Sequence, residues 1–188
     1  GLYAALILKH LEEEFNCRTV NYFDLICGTS TGGLIALALS IGVPAKDIVT
    51  LYQEKGNQIF PRSDSMLGRF FNFIKQVIWG GKYSNSNLKN ILEEVFGDKV
   101  MYDANCLLNI PSFNLTRGRP RVFKYPHEEG NFKMDKNIKM VDVALATTAA
   151  PTYLPIHRIN QALYVDGGVW ANNPSITGLL EALDYFVG

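Results

Sequence analysis

Histidine is scarce: the 188 residues contain His10, His127 and His157 and no others. None follows Asp166, so the order Ser, Asp/Glu, His of an α/β-hydrolase triad cannot be completed around that aspartate within these residues. Cysteine is scarce too. Cys17, Cys27 and Cys106 lack metal-ligand spacing, and three thiols do not make a disulfide framework. A reducing, cytoplasmic setting is the expectation. There is no excess of either charge, with Lys+Arg and Asp+Glu at 18 each. Without a basic field to grip a phosphate backbone, nucleic acid is excluded as an expected partner. No apolar run reaches ~18 residues, which excludes a transmembrane helix within this stretch. Repeats, linkers and low-complexity segments are absent.

What is present reads as a globular chain, 47% apolar and 19% charged. Its length suits a single domain over residues 1–188, burying roughly 70% of the unfolded surface. Gly1 has no initiator Met before it, and Gly188 directly follows an apolar helix-like segment. The expectation is therefore a piece of a longer chain, truncated at both ends.

Ala4, Ile7, Leu8, Leu11 and Phe15 recur at helical spacing, with Glu12 to Glu14 expected on the wet side. Tyr22 to Cys27 reads as a buried strand, and Thr31 to Ser40 as a helix apolar nearly all round. Ile48, Leu51, Tyr52 and Ile59 mark a helix after Pro44, and Leu88 to Phe96 an amphipathic helix stopped by Gly97. Leu107 to Leu115 and Arg121 to Tyr125 read as two strands joined by a turn. A helix over Val141 to Ala150, a strand at Leu163 to Val165 and a helix from Ser175 complete the pattern. Strands alternating with helices predict an α/β layer fold with a mostly parallel sheet. The aromatic stretch Phe70 to Trp79, flanked by Arg69, Lys75 and Lys82, reads either as a membrane-contacting lid or as core.

One knot of small residues, Gly28-Thr29-Ser30-Thr31-Gly32-Gly33, joins the first strand to the apolar helix. Residues 28–32 fit G-x-S-x-G in the strand-turn-helix context of a nucleophile elbow. There the serine hydroxyl projects at a helix N-terminus, where backbone N–H groups and the helix dipole favour developing negative charge. A plain glycine-rich turn stays open at this point. A phosphate-cradling loop is disfavoured, because the lysine of G-x-x-x-x-G-K-[ST] is missing.

A serine hydroxyl needs a base. His10 reads as a surface residue of the first helix, and His127 as solvated in the polar loop "YPHEEGN". His157 alone stands near other suggestive residues. The alternative is Asp166 in "LYVDGGVWANNP", at a strand end before Gly167 and Gly168; a tight Asp-Gly turn would look the same. A carboxylate near pKa ~3.9 is a weak base, so a Ser-Asp pair would lean heavily on its oxyanion site.

The ordered set G-T-S-T-G-G, then "ATTAAPTYLP" (Ala146 to Pro155), then "DGGVWANNP" (Asp166 to Pro174) resembles the patatin-like phospholipase family in its bacterial form. The opening "GLYAALILKHLEEEF" is similar to that family's first helix. The resemblance implies a three-layer α/β/α fold and a lipid acyl hydrolase, with Ser30 as nucleophile and Asp166 as its base. It implies a lipid or membrane-surface substrate, and neither a metal nor an organic cofactor. The family's oxyanion loop is glycine-rich and lies between its first strand and first helix. Gly1 looks like the last glycine of that loop, so the loop and the strand before it are expected to be missing here. A non-catalytic lipid-binding domain that keeps the fold is the other class open. Nothing in the residues sets an oligomeric state, a head-group preference or a chain length.

Overall fold

The computed structural model describes residues 1–59, 85–127 and 133–187. Along them run α1 (Leu2–Glu14), β1 (Leu25–Cys27), α2 (Thr31–Ser40), α3 (Ala45–Ile59), α4 (Asn85–Phe96), β2 (Leu107–Asn114) and β3 (Arg119–Lys124). After β3 come α5 (Met140–Thr148), β4 (His157–Ile159), β5 (Ala162–Asp166) and α6 (Ser175–Tyr185). The aromatic stretch Phe70 to Trp79 lies outside the described residues.

The sheet lies between helical layers, as expected. One face of β2 carries Leu108, Ile110 and Ser112, and α2 and α5 pack there: the Ser112 hydroxyl donates to the Ala146 carbonyl at 3.3 Å. The other face carries Asn109, whose amide donates to the Thr177 carbonyl of α6 at 3.2 Å and accepts from the Thr177 hydroxyl at 2.8 Å. Helix α2 is the centre of the core, with Ile35 through Leu39 all buried against Leu108, Ile110, Val143 and Leu145. Each large side chain buried there contributes about 1.5–3 kcal/mol.

The sheet itself is mixed, which corrects the expectation of mostly parallel strands. Among the described residues β1 pairs with β2 in parallel, whereas β2–β3, β2–β5 and β4–β5 are antiparallel. Connection length is the reason. A long helical crossover joins β1 to β2, whereas short turns join β2 to β3 and β4 to β5 and force reversal there. The β4–β5 turn is two residues, Asn160-Gln161, with Asn160 at φ 53°. The sequence pattern gave no sign of β4.

Pairing along β2 sets where the neighbouring strands end. β3 covers one edge without interruption, from Asn109↔Lys124 to Asn114↔Arg119. The opposite edge is shared. β1 occupies its first half up to Cys27↔Asn109, and β5 its second half up to Asp166↔Ser112. Because β1 is parallel to β2 and β5 antiparallel, the two strands run toward each other and end face to face.

The inward face of α1 differs from its apolar spacing. Ala5 and Glu12 are buried, while Ile7, Leu11 and Phe15 are exposed. Glu12 accepts from the Thr19 N–H (2.9 Å), the Thr19 hydroxyl (2.8 Å) and the Ala45 N–H (2.9 Å), tying α1 to the start of α3. Burial pushes this carboxyl up, but those donors and the Arg18 guanidinium outweigh it and hold it below its usual 4.5. A group held low contributes stability that is present above 4.5 and lost as the pH falls through its folded value. Glu12→Gln should therefore lower stability by about 1.5–3 kcal/mol at neutral pH. The melting temperatures of the two proteins should converge in acid. Tyr22 and Phe23 are also exposed, because pairing with β2 begins only at Leu25↔Leu107.

Candidate active site

β1 ends at Cys27, and the Gly28 N–H still donates to the Asn109 carbonyl at 3.1 Å. Two residues later Ser30 stands at φ 57°, ψ −125°, immediately before α2. For a residue with a side chain that conformation costs roughly 1–3 kcal/mol and survives only where its surroundings impose it. The surroundings are visible. A Cβ on Gly28 would lie 2.1 Å from the Gly32 carbonyl oxygen, so the strand end touches the first turn of the helix. A Cβ on Gly33 would meet Thr147 Cγ2 at 2.8 Å. Gly32 differs: no atom lies within 4 Å of where its Cβ would be. Packing demands glycine at 28 and 33, while 32 faces open space beside Ser30.

The face-to-face ending of β1 and β5 brings Asp166 to this turn. The Ser30 hydroxyl donates to Asp166 Oδ2 at 2.5 Å. The other oxygen, Oδ1, accepts the Gly168 N–H at 2.7 Å, and the Asp166 N–H donates to the Ala149 carbonyl at 3.0 Å. Asp166 is 6% exposed. Each glycine after it has a reason. A Cβ on Gly167 would strike the Pro111 carbonyl at 2.3 Å, and one on Gly168 would come within 3.1 Å of Asp166 Oδ1. The turn is pinned to the elbow by the Thr29 hydroxyl on the Ala171 carbonyl (2.7 Å), and to β2 by the Trp170 indole on the Ser112 carbonyl (2.8 Å). The bland Asp-Gly hairpin is thus not what is found: a short 3-10 turn, Gly167–Val169, comes after Asp166.

The histidines stand elsewhere. His10 is exposed on α1. His157, on β4, bonds through Nε2 to Asp142 Oδ1 at 3.0 Å. His127, expected in solvent, is buried instead. Its Nε2 lies 2.9 Å from Glu181 Oε1, and its ring packs on Tyr185 and Phe186. That partner lies 54 residues away in the chain, beyond any local reading of "YPHEEGN". The thiols are poor rivals for Ser30. Burial, with Glu181 nearby, pushes Cys27 up to about 11, and burial with Asp24 does the same for Cys106. Among the described residues no cluster of His, Cys, Asp and Glu could hold a metal ion.

Sequence reasoning gave no role to Thr147. Its hydroxyl accepts the Ser30 N–H at 3.0 Å and donates to the Pro111 carbonyl at 2.6 Å, fully buried. The only local signal was its place in "ATTAAPTYLP". Thr147→Val keeps the shape and removes both bonds, leaving the half-buried Ser30 N–H and the buried Pro111 C=O unpaired, at about 1–3 kcal/mol for the buried group. The expected result is a lower melting temperature and slower chemistry at Ser30, with Thr147→Ser restoring both.

At the front of α1, Gly1 lies against Tyr52, which a Cβ there would approach to 2.9 Å. The Tyr52 hydroxyl donates to the Thr31 carbonyl at 3.2 Å, and burial pushes its pKa up to about 12. Gly1 is thereby placed at the N-terminal end of α2, two contacts from Ser30.

Comparison with known proteins gives the family. The family model described as patatin-like phospholipase matches residues 1–176. A Pseudomonas aeruginosa protein named cGAMP-activated phospholipase is 38% identical over 182 residues, covering 96% of this chain and 53% of that protein. An Escherichia coli protein of the same name is 38% identical over 179 residues, covering 94% and 48%. Patatin-like protein 1 of Arabidopsis thaliana is 31% identical over 201 residues, covering 95% and 48%. The chain thus spans about half the length of the curated relatives it matches. A strained serine elbow facing a D-G-G turn, inside a match that runs nearly end to end, has one reading: the chain belongs to the patatin-like phospholipase family.

Proposed function

We propose that the protein is a lipid acyl hydrolase of the phospholipase A type, cleaving fatty-acyl esters of phospholipids or related glycerolipids. The observation that carries this reading is the Ser30 hydroxyl aimed at Asp166 Oδ2, 2.5 Å away. Ser30 Oγ attacks the ester carbonyl, and its proton passes to Asp166. The C–O bond to the glycerol side then breaks, and the departing alkoxide takes that proton. Water attacks the acyl-enzyme, gives its proton to Asp166, and Ser30 is released protonated with the free fatty acid. No metal or organic cofactor enters these steps.

A carboxylate base demands strong stabilisation of the oxyanion. The Thr31 N–H comes directly after the nucleophile, the position that donates to the oxyanion in elbow-type hydrolases. The positive end of α2 adds to it. Gly1, seated against Tyr52 at the same helix end, is the residue through which a glycine-rich loop would supply further donors. Residues 1–188 belong to one catalytic domain, working from the cytoplasm on a membrane surface, in line with the free Cys17, Cys27 and Cys106. Among the described residues no helix is long and apolar enough to cross a membrane.

A fluorophosphonate probe on the full protein tests the reading. Labelling that maps to Ser30 and disappears in Ser30→Ala is the expected result. An unlabelled, correctly folded protein that still binds phospholipid vesicles would instead mean a non-catalytic lipid-binding domain. The names of the bacterial relatives add activation by cGAMP, and the same assay with and without that nucleotide shows whether this trait extends here.

A further inference from the structure

An apolar cavity of about 200 Å³ lies between α2, α3 and α4. Leu34, Ala38, Tyr52, Ile91, Leu92 and Val95 are among the residues of its wall. Of the residues lining it, Asp47 alone is charged, and Asp47 is exposed. An apolar space of this kind needs an explanation, because protein interiors pack as densely as organic crystals.

Its position relative to Ser30 supplies one. The Leu34 N–H donates to the Ser30 carbonyl at 3.2 Å, so Leu34 stands one helical turn after the nucleophile. Side chains on a helix lean toward its N-terminus, which carries Leu34 back over the first turn. Tyr52 flanks the same end, its hydroxyl on the Thr31 carbonyl. From there the wall continues along α2 through Ile35 and Ala38 toward Val43 and Asp47, at the helix's far end. The space is thus a groove along α2 whose near end abuts the nucleophile's own turn.

We infer that this cavity receives the fatty-acyl chain of the substrate and of the acyl-enzyme on Ser30. The inference rests on the acyl-transfer reading above and extends it to chain length. A dry cavity of about 150 Å³ lined by Leu, Ile and Phe holds benzene; by that scale 200 Å³ holds roughly eight alkyl carbons. One helical turn, about 5.4 Å, separates the ester from the near end, so the carbons closest to the carbonyl do not reach the cavity. Medium-length chains should therefore fill it.

The test uses p-nitrophenyl esters of increasing chain length with the full protein. Burying each methylene is worth about fourfold in kcat/KM. The wild type should show kcat/KM rising from butyrate through decanoate by well over tenfold. Ala38→Met pushes a thioether chain into the space, and Val95→Phe narrows its half-buried rim. Either variant should reduce the decanoate-to-butyrate ratio by tenfold or more. A melting temperature for each variant shows that the fold is intact, and two positions guard against one failing to fold. An unchanged ratio in both folded variants overturns the inference and leaves the cavity as a packing void. A second arm does not depend on turnover: Ser30→Ala should bind decanoate by calorimetry, and Ser30→Ala with Ala38→Met should not. Equal binding by both overturns the inference even if hydrolysis stands. Failure to cleave any ester or to take the fluorophosphonate on Ser30 overturns the hydrolase reading instead.

Discussion

Asp166→Asn is expected to slow ester hydrolysis by about 10²–10⁴-fold, the usual contribution of a positioned base. Asn keeps the shape, and its carbonyl oxygen can still accept the Gly168 N–H that Asp166 Oδ1 accepts at 2.7 Å. What it loses is the capacity to take the proton from Ser30. The turn should survive, because Gly167 remains packed on the Pro111 carbonyl and Trp170 remains bonded to Ser112. The readout is kcat on a short ester beside an unchanged melting temperature. His157→Ala is the matched control, since the His157 ring is engaged with Asp142 and not with Ser30. A dead His157→Ala enzyme alongside an active Asp166→Asn enzyme would mean that a histidine acts as the base and that the dyad is wrong.

Gly28→Ala is expected to be as damaging, for a mechanical reason. The new Cβ would sit 2.1 Å from the Gly32 carbonyl oxygen and 2.8 Å from the Gly33 nitrogen, both backbone atoms that no rotamer change can move. Either the strand end or the first turn of α2 must shift, at a cost of about 3 kcal/mol or more. A shift of about 1 Å at the nucleophile is enough for a 10²-fold loss in rate. Gly32→Ala, four residues along, places its Cβ in open space and should keep the melting temperature of the wild type. Thermal melts of the pair, with probe labelling of Ser30, separate the two glycines. If Gly28→Ala melts like the wild type and labels normally, the close contact between strand and helix has been misassigned.

The elbow was legible because its signals are local: a strand, a knot of small residues and an apolar helix lie within twenty residues of one another. Asp166 was only half legible. Its strand and its glycines could be read, but the partnership with Ser30 spans 136 residues and came from family resemblance. The rest was hidden where distant pairing overrides local pattern. Apolar spacing in α1 pointed Glu12 at water, yet donors from Thr19 and Ala45 draw it inside. His127 looked solvated until Glu181 was placed beside it. Strand direction failed for the same reason, since alternating strands and helices show in the pattern but the two-residue turn between β4 and β5 does not.

The shared edge of β2 acts as a gauge for the Ser30–Asp166 pair. Ser30 and Asp166 follow from two different strands, but both strands are indexed against one short ruler, from Asn109 to Ser112. Loss of one residue from that ruler would change the separation by about 3.3 Å and reverse every side chain beyond it. A hydrogen bond of 2.5 Å could not bridge such a change. Length variation in the connections leaves the gauge untouched, because neither the crossover between β1 and β2 nor the path from β3 to β4 enters the measurement. Insertions in those connections should accordingly leave the bond between Ser30 and Asp166 intact, while a one-residue deletion between Asn109 and Ser112 should break it.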